Sequence, residues 1–108
     1  MEESASFFKL LGDPTRLQIL LILLFNGETC VCQFSKCLNA PQPLVSRHLR
    51  ILRNSGILQT EQKKQWVYYR LNNKLEGYQK EILEIIRKRY SHAPEIRFFQ
   101  ETISSNTC

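Results

Sequence analysis

Nothing in this chain of 108 residues is long and apolar enough to cross a bilayer, since no run of eighteen apolar residues occurs. The nearest approach, Ile19 to Phe25, follows Asp13, Pro14 and Arg16 and has no cleavage site after it. It reads as a core helix rather than a secretory leader, and a cytoplasmic location is expected. Four cysteines are too few for a disulfide framework. Repeats and low-complexity segments are missing as well. An enzyme is not expected either: a cysteine with His48 would lack an orienting carboxylate and an oxyanion site.

What is present is a lopsided charge distribution. The net charge is +5, but residues 1 to 30 carry two basic groups against four acidic ones. Residues 42 to 74 carry seven basic groups, Arg47, Arg50, Arg53, Lys63, Lys64, Arg70 and Lys74, against Glu61 alone. Net positive charge concentrated in one stretch is the footprint of a phosphate-backbone binder, and the acidic first part limits unspecific adhesion.

That stretch has helical order. In QPLVSRHLRILRNSGIL, Val45, Leu49 and Leu52 fall at i, i+4, i+7, while Ser46, Arg47, Arg50 and Arg53 turn the other way. Pro43 suits the first turn and Gly56 a left-handed stop. All ionic groups on this helix are positive, with no acidic i+4 partner to offset them. The preceding Cys30 to Leu38 has room for about two and a half helical turns, and LNAPQ supplies the bend of a helix-turn-helix. Behind it, Leu58 to Glu61 and Trp66 to Leu71 read as a β-hairpin with the cationic tip QKKQ, a wing suited to a DNA backbone. Base contacts are expected from Arg47 and Arg50, with Gln42 and Ser46 nearby and Lys63 and Lys64 on phosphates. Arg53 is also assigned to the DNA interface, as is His48, which adjoins the buried stripe and reads equally as a packed or a phosphate-contacting residue. The partner is double-stranded DNA.

The other elements complete a mainly α fold with a small β-hairpin, in the order four helices, hairpin, last helix: a winged helix-turn-helix. EESASFFKLLGD forms a short first helix. Asp13 caps a second, with Pro14 at its first position and apolar side chains nearly all round, as for a central helix. Thr29 is expected to cap the third, with Val31, Phe34 and Leu38 facing inward. Lys74 to Tyr90 gives the last long helix. Residues 1–90 form the DNA-binding and dimerisation domain and residues 91–108 a C-terminal tail, whose Phe98, Phe99 and Ile103 dock on the body while the final residues fray. The terminal helices carry more apolar surface than one small domain covers. A homodimer interface is therefore expected at Phe7, Phe8, Leu11, Leu75, Tyr78, Ile82, Ile85 and Ile86.

Three of the cysteines, Cys30, Cys32 and Cys37, lie within eight residues, a clustering that suggests reactive or metal-binding thiols. GDPTRLQILLIL, ETCVCQF, QPLVSRHLRILRNSGIL and QWVYYRL together resemble the ArsR/SmtB group of small winged-helix repressors over roughly residues 4 to 88. ETCVCQF looks like the thiolate box of its arsenic-responsive branch. The resemblance implies a dimeric repressor of its own resistance operon that leaves DNA when an inducer binds. Against the group's pattern, Pro41 stands at the usual Ser or Thr cap, Leu44 replaces a small hydroxyl residue, and the hairpin tip lacks glycine. Gln33 replaces an acidic residue, and Cys37 follows the box at CxCx4C spacing. No DxH pair lies on the last helix and His92 is isolated, so a zinc site there is not expected.

Trivalent arsenic is soft and prefers three sulfurs in a pyramid, so Cys30 and Cys32 are its expected ligands, with Cys37, or Cys108 where the tail folds back, as the third and antimony a chemical neighbour. Zinc would want a fourth ligand. On a regular helix Cys30 and Cys32 point apart and Cys37 lies about 10 Å further along, so binding must distort the first turn of the helix supporting the recognition helix. The function expected is a DNA-binding transcriptional repressor released from its operator by As(III) or Sb(III). The alternative is a redox or sulfur sensor of the same fold in which two thiols form a disulfide.

Overall fold

The computed structural model describes residues 1–105 and 108. Six helices and a three-stranded antiparallel sheet follow one another as α1 (Glu2–Leu11), α2 (Pro14–Asn26), β1 (Thr29–Cys30), α3 (Val31–Leu38), α4 (Gln42–Asn54), β2 (Leu58–Lys63), β3 (Trp66–Leu71), α5 (Gly77–Arg89) and α6 (Pro94–Ser104). The winged helix-turn-helix expected from the sequence is the fold observed. No helix among the described residues is long and apolar enough to cross a membrane.

α2 is the hub. Ile19 to Leu23 are all buried, as an all-round apolar helix requires. Its start is fixed by the Asp13 carboxylate, which accepts from the Arg16 amide at 3.0 Å. That bond, foremost, lowers the Asp13 pKa, with smaller help from nearby His48. Arg16 turns its guanidinium back to the Leu10 carbonyl at 3.0 Å, tying α1 to α2. The end falls at Gly27, whose φ of 73° suits a residue without Cβ.

α3 and α4 form the helix-turn-helix. Val45, Leu49 and Leu52 are fully buried against the core, and Gly56 stops the chain after α4 with φ 88°. The wing is a sheet of order β1-β3-β2. The expected hairpin is present, its first strand running on to Lys63, closed by a two-residue turn between the paired Lys63 and Trp66.

Several expectations change. Thr29 does not cap α3. It lies in β1 opposite Tyr69, its hydroxyl donates to the Gly27 carbonyl at 2.9 Å, and Cys30 takes the cap position. Here Gln33 accepts from the Cys30 amide at 3.0 Å. The last long helix starts at Gly77 rather than Lys74, because Glu76 and Gln79 form a capping box there. The tail is largely a helix: α6 packs on α2 and α3, with Ile96 and Phe99 buried and Phe98 exposed. Of the terminal residues expected to fray, Asn106 and Thr107 lie outside the described residues.

The proposed interface residues also divide. Phe7 is only 2% exposed within one protomer, edge-on to Tyr78 at 5.8 Å, so it belongs to the core. Leu11, Leu75, Tyr78, Ile82 and Ile86 are half-buried and pack on that core. Phe8 and Ile85 alone of the set stand out, at 53% and 66% exposed.

Candidate functional site

On α4 the inward stripe fixes which side chains face out. Gln42, Arg47, Arg50 and Arg53 are exposed and Ser46 is half-buried, giving a cationic outer face. His48 does not join it. It is 8% exposed, and its Nδ1 lies 3.9 Å from the Asp13 carboxylate, with no hydrogen-bond partner for that nitrogen among the described residues. Standing three residues after Val45 and one before Leu49, it shares the inward sector and lies at the seam between α4 and the start of α2, so of its two expected roles the packed one is observed and its assignment to the DNA interface is corrected.

At the wing, Lys64 and Lys63 are exposed. Lys64 occupies the turn at φ 58°, the left-handed region that a glycine would fill without strain. Lys63 is already engaged: its ammonium donates to Glu28 at 3.0 Å, lies 3.6 Å from Glu61, and sits over the Tyr68 ring at 5.3 Å. The Lys63 bond, foremost, holds the Glu28 carboxyl below the usual range. Glu28 was not singled out in the sequence, since nothing local signals a partner 35 residues away. The pair occupies the ammonium that the sequence assigns to a DNA phosphate. Glu28→Gln is expected to tighten binding to all DNA sequences alike and to steepen the slope of log affinity against log salt by about one unit. Fluorescence anisotropy on specific and random duplexes across a salt series checks this; an unchanged slope means Lys63 stays off the backbone.

The cysteines are arranged differently from expectation. Cys30 is buried at the junction of β1 and α3, and Cys32, half-buried, follows in the first turn of α3. Cys37 points the other way. Its thiol is buried, approaches the Phe99 carbonyl of α6 at 3.8 Å, and is pushed up to about 11 by burial, which opposes the thiolate a metal needs. Cys30, Cys32 and Cys37 are thus not brought together, and no group of three or more metal-binding side chains forms among the described residues. Cys108 instead is joined to Cys32 in a disulfide with Cα atoms 6.1 Å apart. The cysteine count argued against a disulfide framework; the structure carries one bridge, which spans 76 residues. Docking of α6 brings the chain end back to α3.

A buried helix-turn-helix, an outward cationic helix and a lysine-tipped wing define a winged-helix DNA-binding protein. The family model described as "Bacterial regulatory protein, arsR family" matches residues 13–60. The arsenic resistance transcriptional regulator ArsR2 of Pseudomonas putida is 45% identical over 78 residues, 72% of this chain and 68% of that protein. The arsenical resistance operon repressor of Escherichia coli is 43% identical over 77 residues, 71% of this chain and 66% of that protein. HlyU from Vibrio cholerae superposes with a TM-score of 0.73 at 28% identity, covering 84% of this chain and 95% of that one. The chain belongs to the ArsR family: it is a DNA-binding transcriptional regulator of the repressor type and not an enzyme.

Proposed function

We propose that this protein is a homodimeric repressor that leaves its operator when trivalent arsenic, or its chemical neighbour antimony, binds the thiolates of Cys30 and Cys32. One observation carries the reading. The two cysteines straddle the point where β1 passes into α3, and both DNA-facing elements hang from it. β1 pairs with the wing strand β3 through Thr29 and Tyr69 and through Cys30 and Tyr68. α3 packs on the recognition helix α4. Drawing the two sulfurs onto one metalloid must reshape the cap of α3, where Gln33 now holds the Cys30 amide, and so shifts wing and recognition helix relative to one another. A ligand that favours the shifted arrangement lowers operator affinity by its differential binding, about 1 to 3 kcal/mol in typical allosteric coupling. The relatives named for arsenic resistance support the same inducer class.

The test is a titration of the reduced protein on its operator with arsenite, antimonite, cadmium and peroxide. Release by arsenite or antimonite at the lowest dose is the expected result; indifference to both ends the reading. On the DNA side, Arg50→Ala is expected to cost about 1 to 3 kcal/mol of discrimination between operator and random duplex. A uniform loss on both would move Arg50 from the bases to the backbone.

A second reading rests on the Cys32–Cys108 disulfide: oxidation of the two thiols by a peroxide ties the residue beyond α6 to α3 and alters DNA affinity. Release by peroxide, without metalloid and reversed by a reductant, distinguishes it.

A further inference from the structure

The CxC pair offers two sulfurs where trivalent arsenic takes three, and the third thiol along α3 is turned away. Cys37 is buried against α6 with its sulfur directed at the Phe99 carbonyl. To reach Cys30 or Cys32 it would have to leave that packing and cross the length of α3. The last residue has no such journey. α6 runs back over α2 and α3, anchored by Ile96 and Phe99, and delivers Cys108 to within bonding distance of Cys32. Two of the three sulfurs are thus already neighbours across the bridge; Cys30, two residues before Cys32 at the cap of α3, is the one that must be drawn in, since no three-member group is assembled among the described residues.

We infer that Cys108, and not Cys37, is the third ligand, so that Cys30, Cys32 and Cys108 form a three-thiolate site for trivalent arsenic or antimony that α6 closes like a clasp. This rests on the metalloid-release reading above and names the ligand set that it leaves open. Three thiols displace three hydroxyls from arsenous acid: three S–As bonds form, three As–OH bonds break, and three waters leave, each thiol proton going to a departing hydroxide. Arsenic remains trivalent. The disulfide must first be opened by a thiol reductant, two equivalents of which give up two electrons and two protons and become a disulfide themselves. Oxidised protein therefore lacks two of its three ligands, and metalloid sensing is confined to reducing conditions. Closing the site also ties Cys108, four residues beyond α6, to the start of α3, the same junction that carries wing and recognition helix.

The experiment uses the full chain, reduced with a trialkylphosphine (which is oxidised to its oxide) so that no competing thiol is present, then loaded with arsenite. Arsenic X-ray absorption counts the sulfurs, and the As–S charge-transfer band gives the affinity. Wild type, Cys37→Ser and Cys37→Ala are expected to show three sulfurs and no oxygen, whereas Cys108→Ser shows two sulfurs and one oxygen and binds about a hundredfold more weakly. Two Cys37 variants with circular dichroism keep a packing defect from passing as a lost ligand. Three sulfurs retained in Cys108→Ser, or one lost in both folded Cys37 variants, would overturn the assignment while leaving arsenite as inducer intact. Wild type without As–S bonds would overturn the inducer reading, and the ligand set with it.

Discussion

Cys30→Ser and Cys32→Ser are each expected to bind the operator as wild type does and to show no release by arsenite. Neither residue belongs to the outward face of α4 or the wing tip, so the contacts that hold DNA are untouched. Folding should also survive. Cys30 is the cap residue of α3, and serine is among the best residues for that position. Cys32 is half-buried in the first turn, where a hydroxyl finds solvent or a free amide. What is lost is the soft donor: a serine hydroxyl has no affinity for trivalent arsenic comparable to a thiolate, and one remaining sulfur of the pair cannot draw β1 and α3 together. Since release in such systems reflects roughly a 5- to 150-fold change in operator affinity, its disappearance is well within reach of a gel-shift or anisotropy titration. An unimpaired response in both variants would remove the thiols from the signal path.

These roles were unevenly legible in the sequence. The recognition helix could be read because one stretch satisfied three independent demands: a buried stripe at Val45, Leu49 and Leu52, terminators at both ends, and charge of one sign on the opposite face. The same periodicity puts His48 beside Leu49 at the edge of the buried stripe, which leaves a packed and a phosphate-contacting role both open; burial against the start of α2 selects the packed one. α6 carried a comparable signal, with Pro94 in its first turn and Ile96, Phe99 and Ile103 at i, i+3, i+7. Mixed composition near the chain end hid it. Other features were out of reach of any local pattern. β1 is two residues long and exists only because β3 offers a partner for Thr29 and Cys30. The Glu28–Lys63 pair and the Cys32–Cys108 bridge join residues 35 and 76 positions apart, and only the folded chain brings them together. The position of Cys30 shows how this alters chemistry. Read as part of a regular helix, it points away from Cys32; as an extended cap residue preceding the helix, it needs less distortion to share a ligand.

The apolar residues at the two ends divide for a related reason: a stripe on a terminal helix does not say which chain covers it. Within one protomer α5 spends Leu83, Ile82, Ile86 and Tyr78 on the core, and α1 spends Phe7. That leaves Phe8 and Ile85 as the large apolar side chains these two helices expose.

Ile85→Glu is therefore expected to convert the protein to a folded monomer and to weaken operator binding by about two orders of magnitude or more. An operator read by two recognition helices is bound with the second contact made at high effective concentration, and that gain vanishes when the halves separate. Position 85 is the informative one. A charge at Ile82 would enter the half-buried layer against α2 and unfold part of the protomer, whereas Ile85 at 66% exposed has little to lose internally, so surface substitution there changes protomer stability by only about 0.5 kcal/mol. Phe8→Glu on α1 serves as the second probe, since α1 and α5 already meet through the Phe7 and Tyr78 rings. Sedimentation at protein concentrations spanning the operator titration gives the assembly state, and circular dichroism confirms the fold. A monomer that grips the operator as tightly as wild type would refute the two-fold reading of DNA, while dimers persisting in both variants would place the interface elsewhere on the surface.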